Sequence, residues 1–469
     1  MTPTRREWLA TSLGGFGGLA LSHLMATADQ PRPRSDLNGG LHHKAKVRRV
    51  VQVFLNGGMS QMDTFDRKPV LEKRHGETVD FGLKAAATST PGPLMKSPFA
   101  WKQHGKCGRW VTDVFPHLAG CVDDLAFLMA MQSKSNVHGP ASYLQSTGFL
   151  LPGFPAAGAW VGYALGRLTD NLPAFVVLPD PRGLPYNGVG NFTAGFLPAA
   201  HQGTVIDPSA AVPIPDLAPA PSAKFVTPAA SDDGLKLLQA MNGKYAADRP
   251  GDDRLRGRVE GYEIAARMQL TAPEAFDLAR EPKAVHDKYG TDRALADGGF
   301  ARNCLLARRL LERGVRFVQV WSGAGGPKDN WDNHTSIVKE LPPIARQVDQ
   351  PVAALLADLK GRGMFADTLV VFTTEFGRMP FTQSSVGRDH NGGTFVTWLA
   401  GAGVKGGVAH GESDEFSYQA ETDRTTCYDL YATVLHLMGI DHEKLTVRHN
   451  GIDRRLTDVH GHVIKSVLA

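Results

Sequence analysis

Short apolar runs that end in polar turns constrain this chain more than any other feature. Val47–Leu55 is largely apolar and stops at Asn56-Gly57-Gly58. Leu125–Ala130, Ala174–Leu178, Val315–Trp321, Leu369–Thr374 and Phe395–Ala400 have the same form. Runs this short and this apolar read as strands buried on both faces. Between them lie helical patterns at Val114–Cys121, Pro140–Thr147, Ala156–Leu168, Phe300–Arg313 and Cys427–Met438, with Gly314 closing the fourth. Ile337–Lys360 also has a helical period, and Pro342, Pro343 and Pro351 predict interruptions in it. Strands alternating with helices predict an α/β fold: a three-layer sandwich around a mostly parallel central sheet.

One stretch departs from that alternation. Residues 179–230 are rich in Gly, Pro and Ala and read as an irregular excursion. Asp232 to Met268 turns charged and amphipathic, which predicts two helices. Together they form an expected irregular and helical insertion over 179–275 in a single domain spanning 47–469.

The N-terminus reads as an address. Arg5-Arg6, Trp8, a Gly-rich apolar run and Ala26-Thr27-Ala28 resemble a twin-arginine signal over residues 1–28. Residues 29–46 follow as a flexible leader. An exported protein, periplasmic or extracellular, is the expectation.

Composition removes several alternatives. Apolar residues at 42% and charged residues at 21% of 469 exclude a mainly disordered chain and a polytopic membrane protein. A net charge of +4 sets up no field that draws nucleic acid. Arg302, Arg308, Arg309 and Arg313 share one predicted helix and read as a solvated face. Cys107 and Cys121 are spaced to pair in an oxidising compartment, while Cys304 and Cys427 read as buried thiols.

Ligands of open α/β sheets bind beyond the carboxyl ends of the strands. The polar residues there are Asn56, Ser60, Gln61 and Asp63 after the first strand, and Asn136 and His138 after the second. Asp329, Asn330, Asp332 and His334 follow Val315–Trp321. Glu375, Arg378, Arg388, Asp389 and His390 follow Leu369–Thr374. Each alone is an ordinary turn or cap residue. Histidines and carboxylates delivered to one edge are the makings of a metal site.

Four motifs resemble a known family: Phe54-Leu55-Asn56-Gly57-Gly58-Met59-Ser60-Gln61-Met62-Asp63, Thr374-Glu375-Phe376-Gly377-Arg378-Met379-Pro380, Gly387-Arg388-Asp389-His390-Asn391, and Leu456-Thr457-Asp458-Val459-His460-Gly461. Together they resemble the exported domain-of-unknown-function 1501 family, sometimes labelled sulfatase-like, over nearly the whole mature chain. The resemblance implies the alkaline-phosphatase-like fold, whose metal-bound enzymes cleave phosphate or sulfate esters. It also implies departures. Asn56-Gly57-Gly58 stands where a metal-binding Asp is usual. His138 stands at the nucleophile position, nine residues before Thr147, with Ser142 at the usual Arg. Glu375-Phe376 replaces an Asp-His pair.

Two readings follow. In the first, a hydrolase uses one divalent metal, zinc or calcium. Asp332, His334 and His390 hold it, with Asp389 beside them. His138, Asn136, Glu375 and Arg378 act as catalytic groups, and Asn56, Ser60, Asp63, Arg388 and Trp331 contact substrate. In the second, the scaffold binds an anionic ligand without turnover. An anionic small molecule or polysaccharide is the expected partner in both. Nucleic acid is not expected, a membrane enters only at export, and the oligomeric state is left open.

Overall fold

The computed structural model describes residues 39–82, 91–208, 227–249, 259, 263, 268, 274–383 and 386–469. The expected signal over 1–28 and much of the second insertion helix lie outside the described residues. The strands are β1 Arg49–Leu55, β2 Trp101–His104, β3 Arg109–Thr112, β4 Leu125–Gln132, β5 Phe175–Leu178, β6 Thr204–Val205, β7 Phe317–Ser322, β8 Thr368–Thr374, β9 Gly377–Gln383, β10 Gly387–Asn391, β11 Phe395–Gly401 and β12 Val408–His410. The helices are α1 Pro69–Lys73, α2 His138–Thr147, α3 Ala157–Leu165, α4 Pro228–Ala247, α5 Lys283–Tyr289, α6 Leu295–Glu312, α7 Ile337–Gly361 and α8 Cys427–Leu437.

The main sheet runs β12-β4-β11-β8-β1-β7-β5-β6, with Thr425–Thr426 added beside β4. β1 lies at its centre, parallel to both β7 and β8. β11 is the exception, antiparallel to β4 and β8. The period of two along β1 builds both cores. Val51, Val53 and Leu55 join the cluster containing Leu305 of α6 and Val348 and Leu355 of α7. Val50 and Phe54 join the opposite cluster with Trp160 of α3 and Tyr431 of α8. Each such side chain contributes about 1.5–3 kcal/mol on burial. The three-layer α/β architecture with a mostly parallel sheet is therefore present.

Four local readings need correction. α7 runs unbroken for 25 residues through Pro342, Pro343 and Pro351. Its buried face, including Leu341, Ile344, Val348, Val352, Leu355 and Leu359, offsets the lost backbone bonds. The α6 arginines are not a solvated face. Arg308 is 1% exposed and pairs with Glu281 at 2.8 Å, Glu312 at 2.6 Å and Asp358 at 3.0 Å. Cys107 and Cys121 are both free thiols. Finally, the described end of the leader is docked: the backbone amides of Leu41, His42 and His43 bond Gly439, and those of Lys46 and Val47 bond Leu437. The expected excursion over 179–230 lies partly outside the described residues; its described part supplies β6 to the sheet edge, and its last residues begin α4.

Candidate metal centre

β1 ends where backbone must pass close to backbone. Gly57 has φ +123°, and a Cβ there would stand 2.7 Å from the amide nitrogens of Trp331 and Asp332. Only glycine fits, so the turn admits the loop that follows β7. The Trp331 amide then bonds the Asn56 carbonyl at 3.0 Å, which seats Asp332 beyond the sheet. A second close approach lies at Gly387, where a Cβ would meet the His334 carbonyl at 1.7 Å. This presses the two-stranded ribbon β9–β10 against the same loop and brings in His390. His138 arrives as the first residue of α2.

The result is a cluster of His138, Asp332, His334 and His390 whose ligand atoms all lie within 4.8 Å of one another. Asp332 is its hub. One carboxylate oxygen faces Nε2 of His334 at 2.7 Å and Nε2 of His390 at 3.0 Å. The other faces Nε2 of His138 at 3.3 Å. Each imidazole is held from behind through Nδ1. His138 Nδ1 donates to Glu375 Oε1 at 2.8 Å, and His390 Nδ1 donates to the Asn136 carbonyl at 2.8 Å. His334 Nδ1 donates to the side-chain oxygen of Gln383. With protons on the three Nδ1 atoms, the three Nε2 lone pairs converge.

That convergence fits a metal on chemical grounds. Nε2 of His334 and Nε2 of His390 lie 2.7 Å apart, where two lone pairs repel unless a proton or cation sits between them. His138 Nε2 is buried and faces the Asp332 carboxylate at 3.3 Å. Burial pulls the His390 imidazole down to about 4. Burial alone also lowers His138, but hydrogen bonds to Asp332 and Glu375 outweigh it and hold this imidazole above its usual value. Burial raises the Asp332 carboxyl, yet the three histidines and the Arg378 charge hold it far below the carboxylate range.

The remaining expected residues fall into two groups. Glu375 is fully buried beside the cluster, where its Oε1 also accepts from the Gly57 amide at 2.8 Å and its Oε2 from Thr374 Oγ1 at 3.1 Å. Arg378 is equally buried and committed. It donates to Asp332 at 2.7 Å, to the Gly58 carbonyl at 2.7 Å and to the Arg388 and Trp331 carbonyls. It is placed to hold Asp332 rather than to clamp an anion. Asn136 reaches the cluster through its backbone carbonyl alone.

Other expected contacts are turned inward. Arg388 forms a fork with Asp63 at 2.6 and 3.1 Å, both side chains fully buried, and Ser60 Oγ donates to Asp63 at 2.5 Å. Neither Asp63 nor Arg388 presents a charge to the cluster. Asn56 donates to the Gly323 and Ala324 carbonyls, both at 3.1 Å. Trp331 is wholly buried, with its indole N–H on Ser322, so it offers no face to a ligand. Asp389 is outside the four-residue cluster and accepts from the His390 amide at 2.8 Å. Two neighbours escaped sequence reasoning. Tyr186 stacks on His138 at 4.3 Å between ring centroids, and Gln383 orients His334. Tyr186 sits in the Pro-rich excursion and Gln383 at a strand end, and neither carries a periodic or motif signal.

Residues 47–468 match the family described as "Protein of unknown function (DUF1501)". The chain belongs to this family. No curated protein matches this DUF1501 member. Among solved structures it is similar to Ps i-CgsB crystallised with k-i-k-neocarrahexaose, at 11% identity and TM-score 0.38 over 86% of this chain and 74% of that one. It is similar also to the PsFucS1 sulfatase from Pseudoalteromonas sp., at 14% identity and TM-score 0.35 over 94% and 73%. The alkaline phosphatase from the Antarctic bacterium TAB5 gives 12% identity and TM-score 0.34 over 79% and 96%. Among the described residues, no helix is long and apolar enough to cross a membrane.

Proposed function

We propose that this protein is an exported, metal-dependent hydrolase of phosphate or sulfate esters. The observation that supports it is the convergence of three imidazole Nε2 atoms on the Asp332 carboxylate. Three nitrogens and one oxygen suit zinc or a similar transition metal, whereas calcium takes an all-oxygen shell. His138 thus moves from catalytic group to ligand. Such a metal supplies Lewis-acid polarisation and a bound water of lowered pKa. Glu375 keeps the His138 Nδ1 proton in place, and Arg378 fixes the carboxylate. Tyr186 and Phe376 flank the His138 ring at 4.3 and 4.9 Å and keep water from it. Export rests on the twin-arginine pattern at residues 1–28.

One observation favours binding without turnover. Four protein ligands close a tetrahedral shell, and catalytic zinc keeps a position open. Zinc analysis paired with release of phosphate or sulfate from aryl esters separates the readings. We expect one zinc per chain, lost in Asp332→Ala together with turnover. Zinc without ester cleavage supports the binding reading, and absence of any bound metal sinks the hydrolase reading.

A further inference from the structure

With Arg378 and Arg388 committed inside the fold, recognition of a substrate's charge falls to other side chains. A cleft of about 580 Å³ opens onto the cluster, with Asp332 and His334 on its wall. Small-molecule sites span roughly 300–1,000 Å³, so the cleft has room for far more than one phosphate or sulfate group. Its cationic wall is Arg182, Lys328 and Lys339, set against Asp329 and Glu340. Arg182 is fixed by its fork to Asp180 at 2.6 and 2.7 Å. Lys328 and Lys339 are exposed, and among the described residues neither ammonium has an ion-pair partner. Counted with Asp332, the carboxylates balance the three cations. A divalent ion on Asp332 leaves the cleft two charges positive.

We propose that this cleft selects esters bearing a second anionic group. The reacting ester lies at the Asp332–His334 end, and the second sulfate, phosphate or carboxylate lies against Lys328 and Lys339. This rests on the reading of the centre as a metal-dependent ester site. It follows because a monoanionic ester leaves both ammonium groups unused in a cleft too large for it. Both are screened by salt, as exposed charges are.

The test is calorimetric, on the zinc-loaded full chain, with two disaccharides of one backbone carrying one sulfate or three. We expect the trisulfated probe to bind about ten-fold more tightly and the difference to shrink at high salt. Lys328→Ala with Lys339→Ala, both at the surface, abolishes the preference while zinc stoichiometry stays unchanged. A preference that survives the double variant, or its absence from the wild type, overturns the assignment. Failure of the metal reading is distinguishable: protein that takes up no zinc but still prefers the trisulfated probe loses only that reading. Protein that holds zinc and shows no preference loses only the cleft assignment.

Discussion

Glu375 fixes what His138 can do. A carboxylate behind a ligating imidazole sets its tautomer and raises its basicity. Glu375→Gln retains an oxygen for Nδ1 but drops the charge, so zinc affinity should fall about 10- to 100-fold in chelator competition. Unchanged affinity would remove Glu375 from that role. The proton on His138 also sets a pH dependence. Its folded value is raised, so protons compete with metal from above the ordinary imidazole range near 6.5. Zinc affinity should rise with pH through that range and flatten once His138 is neutral. A profile flat from pH 6 upward would contradict this. At this scale the sequence was partly legible. Asp332 and His334 stand together after a strand, and His390 sits in a motif. The roles of His138, Glu375 and Asp63 were hidden because their partners lie 194, 237 and 325 residues away, and no local pattern encodes such pairs.

Elements buried on both faces were the readable ones. β1, β4, β5, β7, β8 and β11 fall within about two residues of the apolar runs, because double burial leaves few places for polar residues; the buried Gln52 of β1 and Gln319 of β7 satisfy each other by a hydrogen bond at 2.9 Å. The β9–β10 ribbon carries no such apolar run. Its residues include Arg378, Arg388, Asp389, His390 and Asn391, all buried yet polar, so its burial is paid for by hydrogen bonds that composition does not reveal. The turn after β1 makes a sharp prediction. Gly57→Ala combines a left-handed backbone with a 2.7 Å clash against the Asp332 amide. It should cost at least about 2 kcal/mol in urea unfolding and weaken zinc binding. Gly76→Ala is the control, with φ +87° and nothing within 4 Å of the added carbon. Equal losses in the two variants would show that close approach at Gly57 is irrelevant.

Across the whole molecule, the centre joins the start of α2, the loop after β7 and the β9–β10 ribbon. A metal bound only in the native arrangement adds to global stability by mass action. At 100 times its dissociation constant, zinc should raise the unfolding free energy by about 2.7 kcal/mol, and a chelator should reverse the gain. An unchanged melting profile on zinc addition would argue that the four ligands are not brought together by folding. The position of β1 has a separate consequence for synthesis. Among the described residues, the first strand in chain order is the middle strand of the sheet, and its partner β7 begins at Phe317, 262 residues after Leu55. At about 5–20 residues per second, the ribosome takes roughly 13 to 52 s to make that interval. A nascent chain halted between β7 and β8 leaves one edge of β1 bare, so termination within that interval releases an aggregation-prone product rather than a smaller working protein.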